Sequence, residues 1–158
     1  MYTWVIFLHV LSVMGFLLAH GSAAVVMFRL RSERDPARIG ALLDLSRAVG
    51  GLTAATALLL LLAGLAGGFM GSWWGRGWIW ASLGLFIVIG VVMSSLGRVY
   101  FERVRRALAA APGSATASAG PAAEPVAAAI AAGQPLLVAA IGLGGLAVIT
   151  WLMMFKPF

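Results

Sequence analysis

The chain has only two histidines, His9 and His20, and both lie within its first long apolar segment. An ionisable side chain inside a membrane span is costly and by default marks a functional site. Neutral imidazole binds haem iron or copper, and it also forms hydrogen bonds between helices. Cysteine is absent, which excludes disulfides, thiolate catalysis and thiolate-ligated metal sites. We therefore expect any chemistry of the protein to depend on these two imidazoles.

The spacing of the two histidines places them on one face of a helix. Eleven positions separate them, which corresponds to about 20° around a helix axis and about 16 Å along it. The midpoint of the span falls near Met14 and Gly15, so one imidazole lies in each half of the bilayer. Membrane cytochromes that stack two haems across the bilayer have ligands at two such levels. The first hypothesis is a haem b-binding or redox-associated subunit with His9 and His20 as axial-ligand candidates.

The second axial ligand of such a haem is not obvious from the sequence. No third histidine exists, so a monomer would have to use a methionine or leave the position open. The candidate methionines are Met14, Met27 and Met93. A symmetric homodimer packed through the first span would instead bring His9 to His9 and His20 to His20.

Three other interpretations stay open. A copper path would use histidine nitrogen and methionine sulfur, which suit Cu(I), although the seven methionines form no MxxM series. A cofactor-free accessory or assembly subunit would pack against a larger membrane complex. A neutral histidine can also simply bond to a carbonyl of a neighbouring helix. No Ser–His–Asp set, zinc signature, P-loop or GxGxxG context is found. The sequence motifs therefore do not decide whether the protein is an enzyme.

Composition places the histidines in a membrane protein. Hydrophobic residues make up 62% of the 158 residues and charged residues 10%, with a mean hydropathy of +1.02. We predict an all-α, polytopic protein with four transmembrane helices in one antiparallel bundle. The predicted spans, each near the 20 or so residues that cross a bilayer, are residues 2–28, 48–70, 78–100 and 136–155. Residues 112–135, rich in Ala, Gly, Pro and Ser, are predicted to be a flexible cytoplasmic linker with at most one helical turn.

The distribution of basic residues predicts the orientation. Nine arginines lie between spans one and two, at the end of span three or just after it, against Arg76 and Lys156 on the opposite side. By the positive-inside rule both termini are extracytoplasmic, and the six tryptophans then all lie at the outer ends of the spans. Ten arginines against one lysine, with abundant alanine, suggest a GC-rich bacterial genome, so the expected location is the bacterial cytoplasmic membrane. Because the basic residues flank spans, nucleic-acid binding is not expected.

Local signals extend two of the helices and predict where helices pack. Asp35 followed by Pro36 indicates a helix start well before span two. Glu102 and Arg106, in i,i+4 relation, continue the third helix beyond its span. Small residues let helices in lipid approach closely. Such residues are Ser12, Gly15, Ala19 and Ser22 in span one, Gly64, Gly67, Gly68 and Gly71 in span two, and Gly90, Ser94 and Gly97 in span three.

The run Leu8-His9-Val10-Leu11, in a first span that ends in a basic loop, resembles the start of CopD-like bacterial membrane proteins and related uncharacterised families. A similar start occurs in the haem-b-containing membrane protoporphyrinogen oxidases of bacteria. The resemblance implies a four-helix bundle in which His9 meets metal or haem. The chain departs from the pattern at Met14-Gly15-Phe16, where such proteins often carry Trp-x-Gly-Gly, and it has no later histidine to complete a copper site.

Overall fold

The structure, a computed structural model, is an all-helical bundle and describes residues 1–110 and 123–158. A short 3₁₀ turn, Trp73–Gly75, joins the second and third helices. The helices are α1 Tyr2–Ser32, α2 Pro36–Met70, α3 Gly77–Ala110, α4 Ala123–Ala131 and α5 Pro135–Phe155. In this described part, four helical stretches are long and apolar enough to cross a membrane, the fourth running from α4 into α5. The predicted four-span bundle is confirmed.

Helices α2 and α3 extend beyond their spans as the local signals predict. The carboxylate of Asp35 accepts a hydrogen bond from the Ala37 backbone N–H at 3.0 Å, capping α2 with Pro36 in its first turn. Helix α3 continues past its span to Ala110, and Arg106 donates to Glu102 at 3.1 Å one turn earlier. Helices α2 and α3 are therefore longer than the apolar segments inside them.

Two close helix pairs build the bundle. Helix α1 packs along α2 and α3 packs along α5, while a smaller contact between α1 and α5 joins the pairs. Ser12 and Ala19 are buried on α1, and Gly15 lies against Thr56, as the small-residue pattern predicts. The prediction fails for α3, because Gly90 and Ser94 are exposed rather than packed inside the protomer.

The main buried core lies at the arginine-rich end, defined as the end that holds the α1–α2 connection and the C-terminal part of α3. Its buried side chains come from α1, α2, α3, α4 and the start of α5. They are Val26, Met27, Leu30, Ile39, Leu43, Tyr100, Val104, Val126, Ala129, Ile130 and Val138. Hydrophobic packing therefore continues beyond the spans at this end.

Helix α4 differs from the sequence expectation for its region. Residues 112–122, the first part of the predicted linker, lie outside the described residues. From Ala123 to Ala131 the chain is a nine-residue helix, whose Val126 and Ile130 are buried in the core. Alanine-rich sequence carries little bulk, but alanine is the best helix former and small side chains suit a close contact.

A single arginine joins α2 to α3 at the arginine-rich end. The Arg105 guanidinium donates to the Leu43 carbonyl at 2.8 Å and to the Ser46 hydroxyl at 2.9 Å. The carboxylates of α2 do not take part, since Asp44 lies near Arg47 on its own helix. The two helix extensions therefore meet through a backbone carbonyl and a hydroxyl rather than through an ion pair.

Candidate functional site

His9 faces α2 and is fixed by a backbone hydrogen bond. Its Nδ1 lies 3.1 Å from the carbonyl oxygen of Leu60. A carbonyl only accepts, so Nδ1 carries the proton and Nε2 keeps its lone pair. Gly64, one turn after Leu60, makes room for the ring, because a Cβ there would stand 3.0 Å from the imidazole Cε1.

The second nitrogen of His9 is open. The side chain is half-buried, and within the described chain Nε2 has no hydrogen-bond partner and is not among the buried unpartnered atoms. It therefore reaches the surface of the bundle with its lone pair free. Such a nitrogen can accept a hydrogen bond or bind a metal.

His20 faces α5 and is enclosed. The side chain is 8% exposed, and its ring lies nearly parallel to that of Phe16, with centroids 6.1 Å apart and an interplanar angle of 7°. The ring edge presses on Gly142, where a Cβ would overlap Nε2. Nε2 is buried and has no protein partner in the described chain. A metal bound there would need about 2.0–2.1 Å to the nitrogen, so α1 and α5 would have to separate to admit it.

The two histidines do not form a joint site. Helical spacing puts them on one side of α1, but His9 contacts α2 and His20 contacts α5. Among the described residues no group of three or more His, Cys, Asp or Glu side chains could hold a metal ion. Any ligand would therefore meet one imidazole of the chain at a time.

The three methionine candidates have different surroundings. Met14 is 62% exposed on α1. Met27 is 2% exposed inside the core at the arginine-rich end, and Met93 packs against that core from α3. Of the three, Met14 is thus the exposed side chain, whereas Met93 is partly buried and Met27 is fully buried.

Sequence reasoning missed the roles of three groups that define the histidine surroundings. The Leu60 carbonyl carries no side-chain signal, since every residue has a backbone oxygen. Gly64 is visible as a small-residue position, but its role as a recess for His9 requires knowing which helices pair. Gly142 lies in a glycine-containing run of α5, and its contact with His20 likewise cannot be predicted without knowing which helices pair.

Aromatic residues and the C-terminus gather at the opposite, tryptophan-rich end, defined as the α2–α3 loop and the last residues of the chain. The Lys156 ammonium lies 4.3 Å from the Trp73 ring centroid and 5.7 Å from that of Trp78. The Trp78 backbone N–H donates to the Phe158 carbonyl at 3.2 Å. Tyr2 at the start of α1 is 3.3 Å from the Trp73 indole nitrogen. These contacts tie three parts of the chain together near His9's end of α1.

Comparison with known proteins finds one family model that covers nearly the whole chain. The model is described as "Predicted integral membrane protein (DUF2269)" and matches residues 3–157. No curated protein and no solved structure matches the chain.

Proposed function

The chain belongs to the DUF2269 family of predicted integral membrane proteins, and we propose that it is a small redox-associated membrane subunit that binds haem b through His9. The single observation that carries the proposal is the pairing of an anchored Nδ1 with an open Nε2. A histidine that ligates metal almost always donates its other N–H to a carbonyl, carboxylate or water. The Leu60 carbonyl, 3.1 Å from Nδ1, supplies such a partner.

The surroundings of His9 suit a ligand that arrives from the bundle surface. The ring is half-buried, Gly64 leaves it room, and apolar side chains of α1 border it on the lipid side, including Leu8 and Val10. Haem would supply one-electron transfer at this level of the membrane. The protein would hold the imidazole tautomer and orient Nε2.

The second axial position is part of the same proposal. His20 is enclosed against Gly142, and Met27 is in the core. We therefore favour an open position or His9 of a second copy packed through the first span. Met14 lies about 140° around the same helix from His9, so it cannot reach the other side of the same iron.

One spectrum tests the proposal. Protein purified in mild detergent and incubated with haem should give the sharp reduced-minus-oxidised bands of a b-type haem after dithionite. His9→Ala should lose them, and His20→Ala is the matched control on the same helix that should keep them. Circular dichroism and size-exclusion chromatography confirm that each variant is folded. A folded wild-type protein that stays colourless, or a His9→Ala variant that binds haem equally well, would contradict the proposal.

The alternative functions make different predictions for the same preparation. A cofactor-free accessory subunit should bring down a stoichiometric larger partner in gentle native purification. A CopD-like copper protein should carry copper that elemental analysis detects. Loss of copper in both His9→Ala and Met14→Leu would favour the copper protein.

The proposed location is the bacterial cytoplasmic membrane with both termini outside. It is supported by the clustering of arginines at one end of the bundle and of tryptophans at the other. The chain has no cysteine, so single cysteines report cleanly. A membrane-impermeant maleimide should label Gly75→Cys in intact spheroplasts and leave Ala37→Cys unlabelled until the membrane is opened. The reverse pattern would contradict this orientation.

A further inference from the structure

An open groove of about 370 Å³ runs along the outer face of α3. Its lining comes entirely from one helix, with residues at three- and four-residue spacing along a straight face. They are Ile87, Gly90, Val91, Ser94, Ser95 and Arg98.

The floor of the groove is formed by small residues that nothing in the described chain covers. A Cβ on Gly90 would meet no atom within 4 Å. The Ser94 hydroxyl donates to the Gly90 carbonyl at 2.6 Å and the Ser95 hydroxyl to the Val91 carbonyl at 2.8 Å. Because both hydroxyl donors are satisfied by their own helix, the floor can accept hydrocarbon without leaving a donor unpaired.

One end of the groove carries a free positive charge. Arg98 is exposed and forms no ion pair or hydrogen bond with any residue of the described ranges. Its neighbours differ, since Arg106 is bonded to Glu102 and Arg105 to α2. The opposite end of the groove, at Ile87, is apolar.

The length and polarity of the groove match one membrane leaflet. The twelve residues from Ile87 to Arg98 span about 16 Å of helix, roughly half of the 30 Å hydrocarbon core. The charge lies toward the arginine-rich end, at the depth where headgroups begin if Tyr100 ends the span. We propose that this groove binds an anionic phospholipid, with an acyl chain along Gly90 and Ser94 and the headgroup phosphate on the Arg98 guanidinium.

The charge distinguishes this occupant from a second copy of the chain. A symmetric dimer through the same face would place each residue beside its own counterpart, so two Arg98 side chains would meet with no carboxylate between them. Like charges at such a contact oppose association. A phosphate-bearing lipid neutralises the same guanidinium.

Native mass spectrometry of the full chain in detergent tests the proposal with phosphatidylglycerol and phosphatidylcholine as probes. The wild-type protein should retain phosphatidylglycerol in preference to phosphatidylcholine. Arg98→Gln should lower that preference about fivefold, the scale of one basic residue at a lipid surface. Arg103→Gln, an exposed arginine beyond the groove, is the matched control and should leave the preference unchanged.

A second variant separates the groove from its charge. Gly90→Leu fills the floor and should reduce retention of both lipids while the protein stays folded, because the position is open. Unchanged retention in both Arg98→Gln and Gly90→Leu would overturn the proposal. Equal losses in Arg98→Gln and Arg103→Gln would overturn it in favour of diffuse attraction, and a dimer abolished by Gly90→Leu would assign the face to a second copy.

Discussion

His9 and His20 share a helix and nearly a face, yet their surroundings are opposite. His9 is half-buried, anchored at Nδ1 and open at Nε2, whereas His20 is covered by Phe16 and Gly142 with its Nε2 enclosed. The difference comes from the facing helix. Gly64 of α2 leaves a recess beside His9, while α5 comes into direct contact at Gly142. The approach of the neighbouring backbone thus separates a ligand candidate from a packing residue of the same type.

Alanine substitutions should separate the two histidines in stability as well as in haem binding, and they should have the largest effect on the free energy of unfolding. His20→Ala removes an enclosed ring and should lower the free energy of unfolding by about 2–3 kcal/mol. His9→Ala removes a half-buried ring with one hydrogen bond and should cost about 1 kcal/mol. Reversible unfolding in mixed micelles, followed by tryptophan fluorescence, measures both.

Leu18→Ala is the control on the same helix, because that side chain is 69% exposed and should contribute little to packing. Equal costs for the two histidine variants would show that the surroundings differ less than the contacts indicate.

Substitution at the Gly142 contact should have the next largest effect on the free energy of unfolding. In Gly142→Ala the new methyl overlaps the His20 ring, and the forced shift should cost about 1–3 kcal/mol. The cost should shrink in the His20→Ala background, since the two residues then no longer compete for the same space. A double-mutant cycle of melting curves in detergent gives the coupling energy.

Gly144→Ala provides the comparison on α5, because a Cβ there meets nothing within 4 Å and alanine favours the helix. Additive effects of the Gly142 and His20 substitutions would argue against direct contact.

The smallest effect on the free energy of unfolding is expected at the tryptophan-rich end, which lies toward the same end of α1 as His9. Lys156→Met removes the charge that lies over Trp73 and Trp78, and it should lower the free energy of unfolding by about 0.5–1 kcal/mol. Lys156→Arg should retain most of the interaction. Tryptophan emission should shift in the methionine variant only, and a shift of equal size in both variants would argue against a cation–π contact.

Much of the fold follows from sequence because the membrane restricts the choices. The apolar segments, the Asp35 cap of α2 and the continuation of α3 to Ala110 are local features, and each is confirmed. Lipid requires every backbone group to be bonded internally, so an apolar segment of that length has helix as its stable form.

The packing partners do not follow from sequence in the same way. Small residues predict that a helix face packs closely, but they do not identify the group that packs there. Gly64 contacts the His9 imidazole, whereas Gly90 contacts no other part of the described chain. Helix α4 was predicted as no more than one turn in a flexible linker, because alanine gives no periodic signal that distinguishes a packed helix from a linker. The anchor of His9 is a backbone carbonyl, which no side-chain pattern marks.

The hydrogen bonds of Arg105 join α2 to α3 without a carboxylate. A guanidinium stays charged at all physiological acidities, and its acceptors on α2 are a carbonyl and a hydroxyl, neither of which titrates. An ion pair at this place would weaken once its carboxylate became protonated. The hydrogen bonds that join α2 to α3 at Arg105 are therefore expected to persist on acidification.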